Sequence, residues 1–216
     1  MDHEELIQGE GLSQVADLYR LGRVQLVRRV VDLENEAKSL REQLQFQQIT
    51  DTLTGLPNRE YFFASLTRLW RRALRFAQPV CMALVNVDRF RQVNEQHGHQ
   101  AGDLVLTGVA DVLRSVMREY DLLARYGDNE FAVAVDSADR RTAAQLGQRV
   151  RQAVASTPFC AGERIIPVTV TVGTALGRPE QLGDTADLLV RTAVEAIEIA
   201  RHKGHNQLHA RELTGC

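Results

Sequence analysis

The sequence predicts an α/β or α+β fold, a central sheet flanked by helices and preceded by a long N-terminal helix. Three observations carry that expectation. From residue 58 onward, apolar runs of strand length alternate with longer stretches of helical periodicity. Before residue 50, a charged segment spaces its apolar residues in steps of three and four. Between the two, Gly55 and Pro57 interrupt any continuous helix.

With 44% hydrophobic and 25% charged side chains the composition is ordinary for a globular protein, which argues against disorder. A body of roughly 160 residues buries about two thirds of the surface its unfolded chain exposes, so it needs neither metal nor disulfide to hold it. Cys81, Cys160 and Cys216 are odd in number, widely spaced and without a C-x-x-C pair, which predicts free thiols in a reducing cytosol. The first residues are acidic and no run of about 18 apolar residues occurs, so the sequence predicts no signal peptide, no membrane span and a cytoplasmic location. A net charge of −2 lacks the basic excess of DNA-binding proteins. Any nucleotide site must therefore be local.

The elements follow in order. Leu12, Ala16, Tyr19, Leu26, Val30, Leu33, Ala37, Leu40 and Leu44, interrupted at Arg23, mark an amphipathic helix over residues 1–50. It reads as a coiled-coil stalk pairing two copies. Because Val27 and Val31 widen its apolar stripe, a helix folded back on its own body remains the alternative. The body, 51–216, opens with Gly55-Leu-Pro57 and Asn58, a residue type that caps helices. The pattern then predicts helix 58–76, strand 79–87, helices 90–96 and 100–117, strands 122–126 and 131–136, and helix 139–155. Val168, Val170 and Val172 alternate as in a strand, followed by helix 184–202 and a short strand at 207–209. On the first helix, Phe62, Phe63, Leu66 and Trp70 are core residues, and Arg68, Arg71, Arg72 and Arg75 form a solvated face or a docking surface for an acidic protein partner. His97 and His99 flank Gly98 without a third ligand, weak grounds for metal.

Three stretches carry chemistry: Asp51-Thr-Leu-Thr-Gly-Leu-Pro-Asn-Arg59, the run from Asn86 to Asp103, and Arg125-Tyr-Gly-Asp-Asn-Glu-Phe131. The first resembles the D-x-L-T-G-L-x-N-R motif of GGDEF domains, the second their D-x-D-x-F-K-x-x-N-D-x-x-G-H-x-x-G-D run, and the third their R-[YF]-G-G-D-E-F hairpin. The resemblance covers roughly residues 50 to 210. It implies a nucleotidyl-cyclase, palm-like central sheet behind a signalling helix, and an activity in which two divalent ions help join two GTP molecules into cyclic di-GMP.

At the positions of the two metal-binding carboxylates this sequence has Asn86 and Asn129, and Asp128 replaces a glycine. Hard cations need anionic oxygen, so magnesium or manganese should bind weakly, and neither is required unless the protein is active. Asp128 is expected to bring a charge toward the nucleotide phosphates, where it would repel them. Asp88, Asp128 and Glu130 are the alternative metal set. In the late helix the family's phosphate-binding lysine and arginine positions hold Arg201 and His205, with Lys203 as a candidate substitute. Asn94 and Asp103 match the guanine-reading pair, or else serve only as helix caps.

Arg118-Glu-Tyr-Asp121 matches the family's R-x-x-D inhibitory motif, and Arg149 stands where some members supply a second arginine; the resemblance assigns these three to cyclic di-GMP. Arg118 and Asp121 can equally be a surface ion pair on a helix end. The sequence thus points to a degenerate, inactive, cyclic di-GMP-binding module, dimeric through its N-terminal helix, with cyclic di-GMP or GTP as ligand. An active cyclase with a rearranged metal site and an interaction scaffold without nucleotide stay open.

Overall fold

The computed structural model describes residues 49–162, 164–182 and 186–213, together with residues 25, 28–31, 33, 35, 36 and 38. The chain divides into two units, Met1–Gln48 and Ile49–Cys216. In the first, the described residues are helical and exposed, Val30, Val31 and Leu33 each at 47%. The heptad positions Leu12, Ala16, Tyr19, Leu26, Ala37, Leu40 and Leu44, together with Val27, lie outside the described residues, as does Cys216.

The second unit runs α1 (Arg59–Arg75), β1 (Val80–Val87), α2 (Phe90–His97), α3 (His99–Val116), β2 (Leu122–Arg125), β3 (Glu130–Asp136), α4 (Arg140–Ser156), β4 (Phe159–Ala161), β5 (Arg164–Ile166), β6 (Val170–Gly177), α5 (Pro179–Leu182), α6 (Asp187–His202) and β7 (Leu208–Glu212). Five strands form one sheet in the order β2-β3-β1-β6-β7, and β4 and β5 form a separate hairpin. Pairing is antiparallel except between β6 and β7. This is the mixed architecture the sequence predicts.

Strand β1 lies at the centre and all its residues are buried, which explains its unbroken apolar run. Its pleat divides the core in two. Cys81, Ala83, Val85 and Val87 face the layer of α3 and α4 with Leu106, Val109, Leu113 and Val150. Val80, Met82 and Leu84 face Phe62, Leu66 and Trp70 of α1 and Leu189 and Ile197 of α6. Each of these large apolar side chains, fully buried, contributes about 1.5–3 kcal/mol. Asn58 caps α1 as expected, its side chain accepting from the Tyr61 N–H at 3.0 Å. The Cys81 thiol is raised to about 12 by burial, while Cys160 is exposed.

Differences from the sequence pattern have physical causes. Strand β6 extends to Gly177, past the valine alternation, because Gly173 and Ala175 let a helix lie close against it; a Cβ at Gly173 would stand 2.2 Å from the Ile197 backbone nitrogen. The β4–β5 hairpin, with strands of 3 residues, and the 4-residue turn α5 are too short to leave a period in the sequence. Strand β7 runs on to Glu212. Among the described residues no helix is long and apolar enough to cross a membrane.

Candidate functional site

Among the clefts of the described residues, two hold the candidate site residues on either side of the β2–β3 hairpin. The first opens where β1 and β3 end. Register pairs Asn86 with Glu130, and past this rung Val87 and Asn129 bond reciprocally. The Val87 N–H donates to the Asn129 carbonyl, and the Asn129 side-chain amide donates back to the Val87 carbonyl, both at 3.0 Å. Asn86 Nδ2 donates to Glu130 Oε1 at 3.2 Å. Each amide thus donates a hydrogen, to Glu130 and to the Val87 carbonyl respectively.

Asp88 is buried just beyond β1. The Thr169 hydroxyl and the Asn206 N–H donate to Oδ2 at 2.6 and 2.7 Å, and the Thr171 hydroxyl donates to Oδ1 at 2.7 Å. His205 Nδ1 stands 3.5 Å from Oδ1. Asn86, Asp88 and Asn129 floor the cleft, and Arg89, Arg91, Arg201 and His205 form its rim. Arg89 takes left-handed backbone (φ 52°) at the turn into α2, which a non-glycine residue adopts only at a cost.

Several of the expected residues lie outside this cleft. Asp128 is exposed at the hairpin tip and is not part of the cleft lining, so it does not intrude. Asp88, Asp128 and Glu130 do not form a metal cluster: no group of three or more His, Cys, Asp or Glu among the described residues could hold an ion. Protein donors already engage Asp88, Asn86 engages Glu130, and Asp128 is exposed. Lys203 is not a lining residue, because its Nζ lies 3.4 Å from His209 Nδ1. Burial first and the Lys203 charge second hold His209 below its ordinary value. Arg201 does reach the rim, where it pairs with Glu198 at 3.4 Å.

Neither Asn94 nor Asp103 caps a helix with its side chain. Asp103 is exposed on α3. Asn94 Oδ1 is buried without a hydrogen-bond partner. It packs over Gly102, where a Cβ would lie 1.9 Å from that oxygen and 3.2 Å from Phe90 Cζ. Phe90 lines the cleft, whereas Asn94 is not among its lining residues. A buried acceptor without a donor is rare in folded proteins.

The second cleft, about 570 Å3, brings together residues far apart in sequence: Arg118 and Asp121 before β2, Asp136 at the end of β3, and Gln145 and Arg149 on α4. Helix α3 ends at Val116, so Arg118 and Asp121 occupy a turn and not a helix end. The Asp121 carboxylate accepts from the Arg118 backbone N–H at 2.9 Å, and the Asp121 N–H donates to the Arg118 carbonyl at 3.1 Å. The carboxylate shapes the turn while the guanidinium is exposed toward the cleft.

Asp51 and Arg125 tie the start of the body to the hairpin. The Thr54 N–H and hydroxyl donate to Asp51 Oδ1 at 2.8 and 2.7 Å, and Arg125 Nη1 reaches both carboxylate oxygens at 3.0 Å. Arg125 Nε and Nη2 donate onward to the Gly127 and Asp128 carbonyls. Burial opposes ionisation of Asp51, but the Thr54 bonds and Arg125 outweigh it and hold the carboxyl below its ordinary value.

Sequence reasoning missed Arg89 and Arg91 at the rim and Thr169 and Thr171 beneath Asp88. The two threonines alternate with Val168, Val170 and Val172, and so share the other face of that strand. That alternation was the available signal.

The family described as "Diguanylate cyclase, GGDEF domain" matches residues 48–207. Response regulator PleD of Caulobacter vibrioides is 36% identical over 160 residues, covering 73% of this chain and 35% of that protein. Diguanylate cyclase DgcP of Pseudomonas aeruginosa is 31% identical over 212 residues, covering 96% of this chain and 30% of that protein. The chain therefore spans about a third of the length of these relatives. Among solved structures, the coiled coil and GGDEF domain of DgcB from Caulobacter crescentus in complex with c-di-GMP is 28% identical, with TM-score 0.76 over 86% of this chain and 99% of that one. The diguanylate cyclase SiaD in complex with its activator SiaC from Pseudomonas aeruginosa is 30% identical, with TM-score 0.72 over 96% of this chain and 80% of that one.

Proposed function

The chain belongs to the GGDEF family of diguanylate cyclases, and from that premise we propose that it serves cyclic di-GMP signalling in the cytoplasm as a binding module, catalytically silent in its own cleft. One observation carries this reading: Arg118, Asp121 and Arg149 open onto a single cleft. Two arginine forks offer paired N–H donors to phosphate oxygens or to the outer edge of guanine. The similar DgcB structure contains c-di-GMP.

Silence of the other cleft is supported by its donors. Where two divalent ions need anionic oxygen, Asn86 and Asn129 present amide hydrogens to Glu130 and to the Val87 carbonyl. Asn94 and Asp103 keep a place for a guanine base, and Arg201, with His205 instead of Lys203, keeps a place for phosphate. Residues 1–50 form the stalk and 51–216 the body. Exposed Val30, Val31 and Leu33 on the stalk suit pairing with a second copy, and the SiaD–SiaC complex is a precedent for a protein partner.

Calorimetry in EDTA tests this reading. The wild-type chain should bind cyclic di-GMP, and Arg118→Ala should weaken it at least about tenfold, the loss expected for a charge-assisted bidentate contact. No heat with wild type would remove the proposal. Formation of cyclic di-GMP from GTP with magnesium or manganese would establish an active cyclase instead.

A further inference from the structure

The exposed side of α1 carries a charge pattern that neither cleft uses. At about 100° per residue, Tyr61, Ala64, Arg68, Arg71, Arg72 and Arg75 share one face, opposite the buried Phe62, Leu66, Trp70 and Ala73. Arginines three and four positions apart on a helix repel, and each such pair weakens it. Arg72 is relieved by the Asp136 carboxylate, and Arg72 and Arg75, in the last turn, also meet the carbonyl end of the helix, which favours cations. Arg68 and Arg71 precede that turn, and among the described residues Arg68, Arg71 and Arg75 form no ion pair. Helix stability does not call for Arg71, whose like-charged neighbours at 68 and 75 oppose it. Two of the guanidinium groups are already oriented. Arg68 donates to the Ser65 hydroxyl at 2.8 Å and lies over the Tyr61 ring, 5.8 Å from its centroid, and Arg75 lies over the Phe76 ring at 5.9 Å. Tyr61 and Phe76 are 37% and 61% exposed, so an aromatic ring stands at each end of the arginine row. Arginine and aromatic side chains are the ones that protein interfaces concentrate, and arginine and tyrosine carry a large share of the binding energy there.

We propose that this face of α1 docks an acidic helix of a partner protein, its carboxylates meeting Arg68, Arg71 and Arg75 and its apolar side chains covering Tyr61 and Phe76. A helix matches because the three arginines follow steps of three and four residues, the spacing at which a second helix laid alongside presents one row of its own side chains. A nucleic acid matches less well, since a chain of net charge −2 lacks the basic excess that draws a polyanion. Neither Arg68, Arg71 nor Arg75 lines the Arg118 cleft or the cleft at the end of β1, so docking here is independent of nucleotide binding in either.

The test is fluorescence anisotropy of the full chain with a labelled helical peptide that bears glutamates at positions i, i+3 and i+7 between two leucines. A copy with lysines in place of the glutamates and a single-stranded oligonucleotide of equal charge serve as comparisons. The glutamate peptide should bind and the lysine copy should not, and raising the salt from about 50 to about 500 mM should weaken binding about tenfold. Arg71→Glu should weaken the glutamate peptide about tenfold. Because it also turns two repulsive pairs into attractive ones, Arg71→Glu should raise the melting temperature in low salt by about 1–4 °C. Arg75→Gln should weaken the peptide severalfold and reads the same row through a second position. Absence of binding by the glutamate peptide overturns the proposal, and so does equal or tighter binding of the oligonucleotide. A melting temperature that falls in Arg71→Glu overturns it as well, because the arginine row is then part of what holds the fold.

Discussion

The difference between an asparagine and an aspartate at residue 86 or 129 is one oxygen against one NH2 group, and it reverses what the position offers. A carboxylate accepts everywhere; an amide also donates, and the two amides donate to Glu130 and to the Val87 carbonyl. Asp51 shows the converse, a carboxylate whose donors make ionisation favourable despite burial. Its folded value is depressed below the ordinary 3.8, so its stabilisation is present above about pH 4 and is lost as pH falls through the lower folded value. Asp51→Asn should therefore cost about 1–3 kcal/mol at neutral pH and leave Arg125 without its carboxylate. Urea unfolding at pH 7 and pH 3 should show the gap from wild type narrowing in acid. An unchanged gap would mean the carboxylate's charge contributes nothing.

At the scale of elements, the approach of α6 to β6 depends on a single residue. Gly173→Ala places a methyl group 2.2 Å from the Ile197 backbone nitrogen, and backbone cannot swing aside as a side-chain tip can. The helix must lift from the sheet, at a cost of roughly 3 kcal/mol or more. A thermal melt should show a fall of several degrees, with the cleft loosened as well, because α6 carries Arg201 to its rim. A melt within a degree of wild type would show that the two elements slide freely. Asp88 adds a second tie by holding the start of β6 and the loop after α6 to the end of β1. From sequence, Asp88 was a metal candidate because only the carboxylate was visible; its three donors come from residues 81 to 118 positions away.

For the whole molecule, the proposed stalk predicts a concentration-dependent association that the body alone lacks. The full chain should sediment as a dimer at micromolar concentration, while residues 49–216 should sediment as a monomer and retain the cyclic di-GMP affinity of the Arg118 cleft. Both species running as monomers would remove the pairing role of residues 1–50. The pattern of Leu26, Val30 and Leu33 suggests the seam, and the exposure of Val30, Val31 and Leu33 leaves apolar area for it.

The sequence by itself determined the order and kind of the main elements, because burial on two faces of a sheet and on one stripe of a helix writes its period into the chain. It also determined the family, through the runs at Asp51–Arg59, Asn86–Asp103 and Arg125–Phe131. Only the tertiary structure decided what surrounds the candidate site residues. Arg118, Asp121 and Arg149 meet because β3 brings the chain back beside α4, whereas Lys203 turns to His209 and leaves the rim to His205. Local patterns record burial; a hydrogen bond between distant residues depends on how separate elements pack, and no local period encodes that.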